Sequence, residues 1–149
     1  MKRQQLFIQY LHELKQYLPD QECSEQDEVD YFHALRTHPN LIWVDVYKET
    51  ELIGFVVIDG ATNCADWHIV ETFIAPEYRR QHYMSNVLQT FMATHPGTYS
   101  LYILNQNQVA KHFWTNFFAK VDYVLIEDIV RDSCGHNYVF APTFSNNMS

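Results

Sequence analysis

Residues 71–85 (ETFIAPEYRRQHYMS) join a strand-like run, a short basic loop after Pro76 and the first turn of a helix. Such a junction presents main-chain N–H groups that no helical carbonyl satisfies, at the positive end of the helix dipole. A diphosphate suits that chemistry. Arg79 and Arg80 would add two fixed cations whose planar heads match phosphate oxygens. The pair stands out in a chain with only ten Lys and Arg. Charge and spacing alone also admit a solvated arginine pair ahead of an ordinary helix.

Other chemistry-bearing residues are more dispersed. His12, His33, His38, His68, His95, His112 and His136 show neither H-x-x-x-H nor cysteine-paired spacing, so no metal site is expected. His68 precedes Glu71 by three residues, an odd spacing that puts the two on opposite faces of a regular strand. Ser24 and Asp27 match a capping box. With Glu25, Glu28 and the rest of the acidic run from Asp20 to Asp30, they read as a solvated helix start that would suit a cationic small molecule or basic peptide. Asn107 stands where a helix N-cap is expected.

These residues need elements to hold them. Leu6, Phe7, Tyr10, Leu11, Leu14, Tyr17 and Leu18 recur at helical spacing, and Pro19 stops them. A second helix buries Val29, Phe32 and Leu35. The period then becomes that of strands over Leu41–Tyr47 and Leu52–Ile58, a hairpin across residues 48–51. Trp67–Ala75 is a third strand, followed by a helical stripe (Met84, Val87, Leu88, Phe91, Met92) that Pro96-Gly97 breaks. A strand over Tyr99–Leu104 and a helix carrying Phe113, Trp114, Phe117 and Phe118 come next. Strands over Val121–Val130 and Asn137–Ala141 close the chain around a turn at Ser133-Cys134-Gly135. The order ααβββαβαββ predicts an α/β (α+β) domain with a mixed sheet and packed helices, one domain over residues 1–149.

Composition narrows the function. The formal charge is −8, from ten basic and 18 acidic residues, which disfavours a nucleic-acid binder. No apolar run approaches a membrane span of roughly 20 residues. Cys23, Cys64 and Cys134 are scattered and odd in number, as expected of free thiols in a reducing cytosol.

Pro76-Glu77-Tyr78-Arg79-Arg80-Gln81 resembles the P-E-Y-R-x-K/Q-G-x-G signature of the GNAT N-acetyltransferase superfamily. Asn107-Gln108-Val109-Ala110-Lys111-His112-Phe113-Trp114 is similar to that family's N-x-x-A-x-x-F/L-Y/W helix. His95-Pro96-Gly97-Thr98-Tyr99 resembles the P-G-x-W/Y link of a subgroup. The resemblance covers roughly residues 41 to 141. It implies a mostly antiparallel central sheet with one parallel, splayed strand pair and helices on both faces. It implies acetyl-CoA as cosubstrate and no metal. Thr72, Phe73 and Ile74 would bind the pantetheine arm through their main chain. Arg79, Arg80, Gln81, His82, Tyr83, Met84 and Ser85 would hold the diphosphate. Asn107 would reach the pantetheine arm, and Glu71 matches a frequent general-base position.

Two positions depart from the family. His82 and Met84 stand where the signature has glycines, so the segment is expected to take ordinary helical φ/ψ or to shift outward. Trp114 stands where many members have a tyrosine acid; an indole N–H does not serve as an acid, and a buried structural role is expected. The implied activity is acetyl transfer to a primary amine of a small molecule or protein. The alternative is a catalytically impaired domain used for binding or regulation. The implied partners are a small-molecule or peptide amine, with neither nucleic acid nor membrane, for a cytoplasmic monomer or homodimer.

Overall fold

The computed structural model describes residues 2–17, 24–63, 65–130 and 135–143, with side chains undescribed at 127–130. Leu18, Pro19, the three cysteines and the Ser133-Cys134 turn lie outside them. The first apolar stripe forms α1 (Lys2–Leu14), which buries Leu6 and Phe7. The helix stops short of Tyr17. Gln16 and Tyr17 turn back onto the Glu13 and Leu14 carbonyls, three residues earlier, and this tightened turn ends the helix.

The capping box opens α2 (Glu25–Thr37): Asp27 N–H donates to Ser24 Oγ, and Ser24 N–H to the Asp27 carboxylate, both at 3.1 Å. The rest of the acidic start is not uniformly solvated. Glu28 is buried between α1 and α2, with His12 Nε2 and Lys15 Nζ each 3.1 Å from its carboxylate. Helical spacing turns Glu28 inward one turn before Phe32, and a buried acid persists only when paired.

Strands β1 (Leu41–Lys48) and β2 (Glu51–Asp59) form the expected hairpin, with Glu49 at φ 56° in its two-residue connection. There follow β3 (Trp67–Ile74), a 3-10 turn over Pro76–Tyr78, α3 (Tyr83–Thr94), β4 (Tyr99–Leu104), α4 (Gln108–Lys120), β5 (Tyr123–Val130) and β6 (Gly135–Pro142). Gly135 is thus the first residue of β6. The six strands lie in the order β1-β2-β3-β4-β6-β5, and β3–β4 is the one parallel neighbour pair.

Each face of the sheet carries its own core. Val56, Ile58, Ile69 and Leu101 pack with Met84, Leu88, Trp114 and Phe117 of α3 and α4. Phe55, Val57 and Phe73 pack with Leu6, Phe7 and Phe32 of α1 and α2. Phe7 touches the rings of Tyr10, Tyr31, Phe32, Trp43 and Phe55 with centroids 5.5 to 5.8 Å apart. Full burial of one such ring contributes about 1.5–3 kcal/mol, so this cluster fixes α1 and α2 on the sheet.

Candidate active site

The parallel pair opens as it runs. β3 and β4 pair at Trp67–Tyr99 and His68–Ser100 and then diverge. The closed end is pinned from outside the ladder. Thr98 N–H donates to Asp66 Oδ2 at 2.8 Å, Asp66 N–H donates to Thr98 Oγ1 at 3.0 Å, and Trp67 N–H bonds the Thr98 carbonyl. Gly97 makes this possible: at φ 138° it brings its Cα against Asp66, where a Cβ would lie 2.5 Å from a carboxylate oxygen. Beyond the apex, the edge of β3 facing β4 has no strand partner from Ile69 to Ile74. The strands part around a cleft of about 1190 Å³ that passes through the sheet. α1 lines one side through Tyr10 and Leu14, with Tyr17 of the turn after it; α3 and α4 line the other through Met84, Phe113 and Trp114.

A register shift in β3 decides what faces this cleft. Glu71 pairs with Val57, yet Ile69 pairs with Ile58, so Val70 is an extra residue. Glu71 and His68 lie opposite Val57 and Asp59, two apart on β2. They therefore share the α1/α2 side of the sheet, and the expectation of opposite faces is corrected by the bulge. Tyr31 of α2 donates its hydroxyl to Glu71 Oε1 at 3.2 Å. Burial pushes the Glu71 carboxyl up to about 8. His68 sits at the apex with Nδ1 2.7 Å from Ser100 Oγ. Burial lowers its pKa, only partly countered by the Asp59 charge and the bond to Ser100, and so favours the neutral ring.

The loop after β3 divides its two arginines. Arg79 is fully engaged: Nε donates to the Ile74 carbonyl at 2.8 Å, and the two terminal nitrogens donate to the Glu13 carboxylate at 3.0 and 2.6 Å. Its guanidinium also lies over Phe73. Arg79 thus ties the loop and the end of β3 to α1. Arg80 is exposed and makes no hydrogen bond or ion pair among the described residues. Gln81 returns its amide to the Glu77 carbonyl.

The expectation of ordinary helical φ/ψ at the missing glycines is corrected at His82. Arg80 and His82 hold left-handed conformations, with φ 63° and 69°. The backbone keeps the turn that a glycine would ease, at a cost of about 1–2 kcal/mol per non-glycine residue; histidine is among the residues that visit this region. The His82 ring is exposed at the cleft rim, where Lys120 Nζ donates to Nδ1 at 3.2 Å. Met84 is helical and directs its side chain into the core. The first intrahelical bond of α3 runs from Asn86 N–H to the His82 carbonyl. The amides of Tyr83, Met84 and Ser85 thus precede any helical acceptor.

Asn107 caps α4, its side chain accepting from Ala110 N–H at 2.9 Å, and it also lines the cleft. Trp114 is buried in the core against Phe113, Phe117 and Phe118. Thr72, Phe73 and Ile74 line the cleft with Glu71. Glu13, Tyr31 and Lys120 were not among the sequence candidates. Each lies 38 or more residues from the group it touches, and no local spacing announces such a contact. Among the described residues no group of three or more His, Cys, Asp or Glu could hold a metal ion, and no helix is long and apolar enough to cross a membrane.

Known proteins share this fold. An acetyltransferase from Thermus thermophilus superposes with TM-score 0.65 at 18% identity, covering 95% of this chain and 92% of its own. Spermidine N-acetyltransferase from Vibrio cholerae, solved with CoA and spermine, gives 0.59 at 12% identity, covering 87% and 82%. An aminoglycoside 6'-N-acetyltransferase complexed with coenzyme A gives 0.55 at 14% identity, covering 87% and 86%. These likenesses show a common fold. Among curated proteins, none matches the chain. The acetyltransferase (GNAT) family model matches residues 7–118, from α1 across the splayed strands and the arginine loop into α4, and the chain belongs to that family.

Proposed function

We propose that this protein transfers the acetyl group of acetyl-CoA to a primary amine. The observation that supports it most directly is the open β3–β4 pair leading onto the unpaired amides at the head of α3. An unpartnered strand edge offers main-chain donors and acceptors to an amide-bearing arm, and the amides of Tyr83, Met84 and Ser85 suit a diphosphate. Similar solved structures hold CoA. Arg80 and Lys120 are the cations positioned for phosphate at the rim, and Arg79 holds the loop in shape through Glu13.

When bound, acetyl-CoA supplies an acyl carbon activated by its thioester. The residues of the chain do the rest. Main-chain groups of Thr72 and Ile74, on the edge of β3 turned away from β2, hold the arm and polarise the carbonyl, while those of Phe73 face β2. Asn107, at the head of α4, faces the same arm. Glu71 accepts the proton that an ammonium must lose before its nitrogen attacks, and a carboxyl raised to about 8 is a stronger base than a solvated one. The carbon–nitrogen bond would form and the carbon–sulfur bond break, the proton still on the nitrogen passing to the leaving thiolate directly or through water, with none supplied by Trp114.

The test has two parts. Acetyl-CoA at a hundred times its dissociation constant should stabilise the protein by about 2.7 kcal/mol, read as a rise in Tm. Thiol release in the presence of an amine panel should show turnover. No thermal shift at millimolar acetyl-CoA would remove the coenzyme assignment.

A further inference from the structure

One side-chain hydrogen bond joins α2 to the strand that carries Glu71. Tyr31 donates its hydroxyl to Glu71 Oε1 at 3.2 Å, across 40 residues of sequence. The tyrosine is aimed by its surroundings. Its ring packs tilted on Phe7 at 5.6 Å, and Phe7 is fully buried. Phe32, next in sequence, packs on the same ring at 5.5 Å. Glu28, one turn earlier on α2, is tied to α1 by His12 and Lys15. The helix is thus fixed on both sides of Tyr31, and the hydroxyl has a set position over β3.

A free carboxyl group turns easily about its last side-chain bond. A donor on Oε1 removes that freedom and gives Oε2 one direction. Glu71 lines the cleft, so this fixes the oxygen that a substrate meets there. The same donor favours the charged carboxylate, against the burial that disfavours it.

We propose that Tyr31 is a positioning residue for acetyl transfer: its hydroxyl holds Glu71 Oε1 so that Oε2 receives the proton of the incoming ammonium. This rests on the reading of Glu71 as the base of an acetyl-CoA-dependent site. The proton passes from nitrogen to Oε2, and the electron pair of that N–H bond stays on nitrogen for attack on the acyl carbon. Tyr31 keeps its own proton throughout.

Other titratable groups surround Glu71 in the cleft. They are Tyr10 and Glu13 of α1, Tyr17 of the turn after it, His68 of β3, Tyr102 of β4 and Arg79 of the loop; β2 presents Val57 opposite Glu71. All of them are common to the protein and its Tyr31→Phe variant. The difference between the two forms therefore isolates the hydroxyl, since phenylalanine keeps the ring on Phe7.

Two measurements on both forms test this. Carbon-13 NMR titration follows the Glu71 carboxyl, identified by its loss in Glu71→Gln, without need of turnover. Thiol release from acetyl-CoA with 2-phenylethylamine, spermidine, kanamycin and a lysine peptide follows the reaction. In Tyr31→Phe the carboxyl midpoint and the rising limb of the rate should both move up by about half a pH unit to one unit, so that kcat at pH 7 falls about three- to tenfold. KM for acetyl-CoA and the urea midpoint should stay unchanged. Added to Glu71→Gln, the same change should cost no further kcat. An unmoved carboxyl midpoint overturns the proposal, and so does an equal loss of kcat in the Glu71→Gln background. Absence of turnover in the unaltered protein, or a rate limb that survives in Glu71→Gln, overturns the reading of the site beneath it and takes the proposal with it, which separates the two failures.

Discussion

Glu71 keeps its proton through neutrality because burial disfavours its charged form. Only about a tenth of the molecules hold the carboxylate at pH 7, so turnover should climb with pH and level off above about 8. Glu71→Gln should lower kcat/KM about a hundredfold or more and abolish that limb; a pH–rate profile of both forms checks it, and an unchanged profile removes Glu71 from the mechanism. His82 carries a different burden. Its left-handed φ is tolerable for histidine and poor for a β-branched residue. His82→Val should cost about 1–3 kcal/mol in urea denaturation and raise KM for acetyl-CoA, whereas His82→Gly should leave stability within about 1 kcal/mol. Equal losses in the two variants would show that the side chain matters more than the backbone there.

At the scale of elements, α1 works on the loop through one ion pair. Glu13 and Arg79 meet in paired charged bonds, each side chain about a quarter exposed. Glu13→Gln should therefore raise KM for acetyl-CoA severalfold with kcat nearly kept. Arg79→Gln should do the same, and the double variant should lose less than the sum of the two. Additive losses would mean that the pair does not act as a unit. This pair also marks how far the sequence could be read. Helices, strands and the capping box were legible because each is written in spacings of one to four residues. So was the junction at 71–85, whose β-run, proline and helical stripe are contiguous. The partner of Arg79 was not, since Glu13 lies 66 residues away. The bulge at Val70 was not legible either, because alternation along β3 looks unbroken until its register against β2 is known.

For the molecule as a whole, the raised carboxyl links stability to pH. An unfolded Glu71 titrates near 4.5 and the folded one near 8, so the native state binds the extra proton between those values. That contribution is fully present below about pH 4.5 and is lost as pH rises through 8, with a slope of at most about 1.4 kcal/mol per pH unit. Glu71→Gln should flatten the fall in unfolding free energy over this window. The same steep fall in the variant would assign it to other groups. The extra residue at Val70 has one more consequence. A relative lacking it would hold its counterparts of His68 and Glu71 two positions apart, where strict alternation already keeps both on the α1/α2 side. Shortening the strand by that one position would thus leave both groups in place, whereas closing the bulge at unchanged length would turn one of them toward the α3/α4 core.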